Sequence, residues 1–215
     1  MPDPVGILGG TFDPVHTAHV ALARTALAGL GLAQVLWIPA GQPPHRAAPQ
    51  ANADHRRAMV QQAIAAEPRF VLDDSEVRST TASYTVHTLE RLRSIHGAQL
   101  PLVLLMGADA LQGLASWYRW RDILTLAHIG VATRPGFPFD KLPSPVAEVF
   151  ARCRPAGVDF SQPAGSIVPF ELSAGTVSAT EVRGLLAAGA PREAFAGLLP
   201  PAVLDYILQH SLYAT

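Results

Sequence analysis

Short apolar runs alternate with amphipathic stretches along the whole chain. Residues 5–8, 34–38, 70–72, 100–106, 128–133 and 167–172 read as strands, with 100–106 the most strongly apolar. Residues 19–30, 54–66, 83–95, 107–114, 120–126, 146–153, 178–188 and 202–209 read as helices. In 83–95, Val86, Leu89 and Leu92 recur at the spacing of one helical face. Asp54 and Ser83 stand where N-caps belong, and Pro68 lies beyond the end of its helix. Residues 41–52 and 135–145 read as loops. Strands alternating with helices predict an α/β fold, an open parallel sheet with helices on both faces. No internal repeat is visible, and one domain over 1–215 is the economical reading.

Composition narrows this picture. At 215 residues the chain suits one well-buried α/β domain and is short for two. A formal net charge of −1 predicts no broad surface for nucleic acid or anionic membrane, so any anion must be held by a local constellation. The single cysteine, Cys153, allows no internal disulfide or Cys-x-x-Cys metal site and fits a reducing cytoplasm. The opening Met1-Pro2-Asp3-Pro4 lacks the basic and apolar regions of a signal peptide, and no apolar run approaches the ~20 residues of a membrane span.

The most informative chemistry lies between the first strand and the first helix, in Gly9-Gly10-Thr11-Phe12-Asp13-Pro14-Val15-His16-Thr17-Ala18-His19. A glycine pair at a strand's carboxyl end, followed by a helix amino end, is where an open α/β sheet binds phosphate. His16 and His19, three apart, fall on one face of the first turns and can donate to phosphate oxygens as charge develops. A lone histidine here would read as a surface or capping residue; two behind this turn favour the anion. The glycine spacing is not Gly-x-Gly-x-x-Gly, and no lysine follows as in a P-loop. Asp13, before Pro14, reads as a turn former.

With this motif the chain resembles the His-x-Gly-His nucleotidyltransferase superfamily, and within it the bacterial nicotinate-nucleotide adenylyltransferases. Further landmarks occur in the family's order: Pro43-Pro44-His45-Arg46, Ser83-Tyr84-Thr85-Val86, Gly107-Ala108-Asp109, Trp117, Arg134-Pro135-Gly136, Ser178-Ala179-Thr180-Glu181-Val182-Arg183 and Leu212-Tyr213. The resemblance implies a Rossmann-like nucleotidyltransferase fold and adenylyl transfer from ATP to nicotinate mononucleotide.

The resemblance implies roles for these residues, and each also has a plainer reading. Gly9, Gly10, Thr11, Phe12, His16 and His19 would hold the ATP phosphates. Ser178 and Glu181 form a capping box, and the resemblance adds triphosphate binding by Ser178, Thr180 and Arg183. Gly107, Asp109 and Arg134 would neighbour the adenosine; Asp109 alone is an N-cap candidate. Arg46, where the family often carries lysine, and His45 would approach the substrate phosphate; alone they are solvated loop charges. Tyr84 and Thr85 open a helix whose amides would read the pyridine carboxylate. The positive helix end favours nicotinate over nicotinamide. Trp117, otherwise a core residue, would stack on the pyridine ring, with Tyr118 beside it.

Two positions depart from the family pattern: Ala18 stands where glycine is usual, and Ala179 where serine is usual. The first adds a methyl near the phosphate and the second removes one hydroxyl. Catalytic roles are expected of His16, His19 and Arg183. Mg²⁺ is expected on the ATP phosphates without a dedicated protein cage, because no His-Glu-x-x-His or carboxylate cluster with ligand spacing appears. The expected partners are ATP and nicotinate mononucleotide, with no nucleic acid and no membrane; a homo-oligomer is left open. A sibling transferase acting on phosphopantetheine or nicotinamide mononucleotide, and a non-catalytic nucleotide sensor, are the alternatives.

Overall fold

The computed structural model describes residues 2–43, 48–172, 175 and 177–214. The strands are β1 (Val5–Gly10), β2 (Gln34–Pro39), β3 (Phe70–Leu72), β4 (Leu102–Gly107), β5 (His128–Thr133) and β6 (Ile167–Glu171). The helices are α1 (Thr17–Gly29), α2 (Ala53–Ile64), α3 (Ser75–Arg78), α4 (Thr85–His96), α5 (Ala108–Gln112), α6 (Trp120–Leu126), α7 (Val146–Cys153), α8 (Ala179–Ala187) and α9 (Pro201–Gln209). The sheet runs β3-β2-β1-β4-β5-β6. The pairs β1–β4, β4–β5 and β5–β6 are parallel, with Val5 opposite Leu102, Leu104 opposite Ile129 and Gly130 opposite Val168.

Contacts divide the chain into two compact units. One comprises the described residues of Met1–Leu8, Leu22–Leu36 and Tyr84–Ser173; the other those of Gly9–Ala21, Trp37–Ser83 and Ala174–Thr215. In the first, residues 102–106 of β4 are all buried, which is why this segment reads as a continuous apolar run: a central parallel strand is covered on both faces. Gly6 belongs here because a Cβ would stand 2.8 Å from Leu32 Cδ1 and 3.2 Å from Leu105 Cδ1. Arg93 near the end of α4 ties this unit's loops, donating to the carbonyls of Leu126, Leu100 and Pro163.

The second unit contains the carboxyl ends of β1 and β2, with β3, α2, α8 and α9. Its aromatic core runs from Phe12 to Trp37 to Phe70, ring centroids 5.6 and 5.5 Å apart. Met59, Val60 and Ile64 of α2 and Val203, Leu204 and Ile207 of α9 are buried. Each such side chain withdrawn from water contributes about 1.5–3 kcal/mol.

Local differences from the sequence reading have physical causes. Asn52, not Asp54, caps α2, its Oδ1 accepting from His55 N at 2.9 Å. Ser83 does not cap α4. Its Oγ accepts from the amides of Gly41 and Gln42 at 3.1 and 3.3 Å, and Tyr84 takes the cap position without a side-chain capping bond. Gly107, not Asp109, holds the cap position of α5. The helix expected over 107–114 ends at Gln112 and resumes as a 3-10 turn over Leu114–Ser116. α3, four residues long, is too short to show periodicity. Among the described residues no helix is long and apolar enough to cross a membrane.

Candidate active site

β1 delivers Gly9 and Gly10 to the sheet's carboxyl end, and the chain turns sharply at Phe12, whose φ is 52°. A left-handed phenylalanine costs roughly 1 kcal/mol or more, so the surroundings must hold it. They do: its ring folds back over Gly10, lies on Trp37 and meets the edge of His19 at 5.0 Å and 80°. A Cβ on Gly10 would stand 3.0 Å from that ring, so a larger residue there would have to displace the phenyl.

α1 then begins at Thr17, anchored by its amide and hydroxyl to the carbonyl of Leu198 and by the hydroxyl to that of Gly197. The rings of His16 and His19 stack with centroids 3.7 Å apart and 25° between planes. The His16 amide donates to His19 Nδ1 at 3.2 Å. That bond requires a lone pair on Nδ1, so neutral His19 carries its proton on Nε2. His16 is 7% exposed, and its Nδ1 is buried without a hydrogen-bond partner. Burial lowers its pKa from 6.5 to about 4, so this imidazole is neutral at ordinary pH. An orphaned polar atom in a buried ring costs about 1–3 kcal/mol, which a ligand can relieve.

Asp13 is the centre beneath this turn, a larger part than the turn former read from the sequence. Its carboxylate, 8% exposed, accepts from Gln50 N at 2.9 Å, Ala51 N at 3.0 Å and Tyr213 Oη at 2.8 Å. Arg183 of α8 donates from Nη1 to the Asp13 carbonyl at 2.6 Å, with Asp13 Oδ2 3.9 Å away, and from Nη2 to Thr180 Oγ1 at 3.3 Å. Ser178 caps α8, accepting from Glu181 N at 3.1 Å. Gln50, Thr180, Arg183 and Tyr213 line a cavity of about 320 Å³.

Arg56 of α2, 1% exposed, was not among the expected site residues. Its guanidinium donates to the carbonyls of Thr11 (2.8 Å), Ala40 (2.6 Å), Gly41 (3.1 Å) and Ala51 (3.2 Å). It thus ties the anion loop to the end of β2. Burial lowers its pKa, and the Asp13 carboxylate opposes that shift. The available signal was positional: Arg56 shares the buried stripe of α2 with Met59 and Val60. His45 and Arg46 lie outside the described residues.

The other unit holds the remaining expected residues. At the start of α4 the Tyr84 ring lies 4.7 Å from that of Tyr118 and 5.5 Å from that of His87. Trp117 is half-buried before α6, where Arg119 adopts φ 50° and pairs with Glu90 at 2.9 Å and Asp122 at 2.7 Å. Thr85 opens α4. At the end of β4 a Cβ on Gly107 would meet nothing within 4 Å, and Asp109 is exposed in the first turn of α5. Arg134 is exposed after β5. Among the described residues no group of three or more His, Cys, Asp or Glu side chains is placed to hold a metal ion.

A mostly parallel sheet whose first strand ends in Gly-Gly and hands two stacked histidines to a helix is a nucleotidyltransferase architecture. The family model described as Cytidylyltransferase-like matches residues 7–185. Over 218 residues the chain is 53% identical to a probable nicotinate-nucleotide adenylyltransferase of Dechloromonas aromatica (strain RCB), covering 99% of both. It is 44% identical over 211 residues to that of Laribacter hongkongensis (strain HLHK9), covering 97% of this chain and 94% of the relative. The chain belongs to the nicotinate-nucleotide adenylyltransferase family. Its fold is shared with Plasmodium falciparum nicotinic acid mononucleotide adenylyltransferase complexed with NaAD. The TM-score is 0.73 at 16% identity, over 99% of this chain and 98% of that one.

Proposed function

We propose that this protein transfers the adenylyl group of ATP to nicotinate mononucleotide, a step of NAD biosynthesis. A 5′-phosphate oxygen of the mononucleotide attacks the α-phosphorus, the bond from that phosphorus to the β-phosphate oxygen breaks, and pyrophosphate leaves. The attacking phosphate, with a second pKa of about 6, is already ionised near pH 7, so no general base is required. Catalysis is then alignment and charge stabilisation. The observation that carries this reading is the stacked His16–His19 pair, with a donor on His19 Nε2 and an orphaned nitrogen on His16.

In this reading His16 and His19 hold the α-phosphate with the amides of Gly9, Gly10, Thr11 and Phe12. Ser178, Thr180 and Arg183 hold the β- and γ-phosphates and the leaving group. Gly107, Asp109 and Arg134 take the adenosine. Tyr84 and Thr85 read the nicotinate carboxylate at the start of α4, Trp117 and Tyr118 take the ring, and His45 and Arg46 approach the mononucleotide phosphate. The donor set fits an ion carried by the nucleotide: Mg²⁺ on the triphosphate would neutralise charge there. We assign one domain over 1–215 and a cytoplasmic location, consistent with the lone Cys153.

The test is pyrophosphate release from Mg·ATP with nicotinate mononucleotide, nicotinamide mononucleotide and phosphopantetheine in parallel. Release with the nicotinate form well above the other two is expected. Equal rates with the amide form would remove the carboxylate-reading role of Tyr84 and Thr85. Release with phosphopantetheine alone would move the chain to a sibling transferase. ATP binding without release would make it a sensor.

A further inference from the structure

Tyr213 is a half-buried phenol bonded to Asp13 that the proposed reaction leaves unused. After α9 the chain reverses through two left-handed residues, Ser211 at φ 49° and Tyr213 at φ 64°. The Leu212 amide closes this reversal on the Ile207 carbonyl at 3.0 Å. Two non-glycine residues in that region within three positions are costly, and something must hold them. What they present is the Tyr213 hydroxyl, which donates to Asp13 Oδ1 at 2.8 Å.

Asp13 is in turn the partner of Arg183, through its carbonyl at 2.6 Å and its carboxylate at 3.9 Å. We propose that Tyr213 is a positioning residue for the anion end of the site: its phenol fixes Asp13, and Asp13 aims Arg183 at the triphosphate. This rests on the reading above, in which Arg183 and Thr180 hold the β- and γ-phosphates. Residues 211–214 then act as a clamp whose target is the pyrophosphate portion of ATP. Tyr213, Gln50, Thr180 and Arg183 line the same cavity, so the clamp also forms part of its wall. An arginine side chain gives up rotamer entropy when immobilised. One already tethered gives up less on binding, which is the advantage of preorganisation. Burial and the Asp13 carboxylate push the phenol pKa well up, so the hydroxyl remains a donor at any working pH.

The test compares wild type, Tyr213→Phe, Arg183→Lys and the double variant. The readouts are calorimetric affinity for ATP and for inorganic pyrophosphate, kcat and both KM values, and the urea midpoint. Tyr213→Phe keeps the ring and removes one hydrogen bond to a charged group. It should weaken ATP and pyrophosphate binding roughly 5- to 20-fold, leave KM for nicotinate mononucleotide within about twofold, and add little in the Arg183→Lys background. Unchanged anion affinity, equal losses for both substrates, or full additivity with Arg183→Lys would each overturn the proposal. If wild type turns over no substrate, the adenylyl-transfer reading fails, while the pyrophosphate titrations still decide the role of Tyr213.

Discussion

The imidazoles of His16 and His19 stack 3.7 Å apart, and the main-chain amide of the first is bonded to Nδ1 of the second. Two cations cannot share that separation cheaply, so at most one ring is protonated. The amide bond holds His19 as an Nε2–H donor, and burial holds His16 neutral. The pair therefore meets an anion as neutral imidazoles, His19 offering Nε2–H, whose orientation is already set.

The first prediction follows from this geometry. His19→Ala removes a donor from the α-phosphate site while leaving His16, Phe12 and the α1 backbone in place. It should lower kcat by about 10²- to 10³-fold, the usual effect of deleting one preorganised donor to a developing charge. KM values should move far less. Steady-state pyrophosphate release with a parallel thermal melt checks this; near-normal turnover in a folded variant would exclude His19 from catalysis.

A second prediction concerns pH. An unfolded histidine titrates near 6.5, whereas folded His16 takes up a proton only near 4. Between those values the unfolded state binds more protons, so stability rises with pH across the window. The contribution is fully present above 6.5 and is lost as pH falls from there towards 4; it amounts to as much as about 3 kcal/mol. His128, buried in β5, is shifted in the same direction by burial, so the wild-type slope contains both. His16→Asn should flatten the curve over this window relative to wild type in urea melts at fixed ionic strength. Parallel curves would mean that His16 is charged in the folded protein.

Much of this was legible in the sequence because it is periodic or local. β4 and α4 announce themselves by unbroken and 3.6-spaced apolar positions, and the anion loop by a run of neighbours. What escaped is long-range. Asp13 looks like a turn residue within its own segment, and its carboxylate partners stand 37, 38 and 200 positions away. Ser83 has every local mark of an N-cap, yet its hydroxyl is taken by amides 42 and 41 positions earlier. Asn52 and Asp54 are both good caps two residues apart, and only the observed bond to His55 N separates them.

Arg56 carries the last prediction. Four carbonyls from three places in the chain converge on one guanidinium: Thr11 in the anion loop, Ala40 and Gly41 after β2, and Ala51 before α2. The approach is close on both sides, since a Cβ on Gly41 would overlap the Glu76 carbonyl at 2.0 Å. Arg56→Met keeps much of the volume and orphans all four acceptors. It should cost about 3 kcal/mol or more, a large part of the ~5–15 kcal/mol that holds an ordinary domain. Arg56→Lys keeps the charge, but a single ammonium cannot span the fork, so it should recover only part of that stability. Because one of the four acceptors is Thr11, the lysine variant should also lose kcat while still folded. Urea unfolding and pyrophosphate release on the same preparations check both effects. An Arg56→Met protein within about 0.5 kcal/mol of wild type would show that water can take over these carbonyls, and that the guanidinium is not what holds the loop to β2.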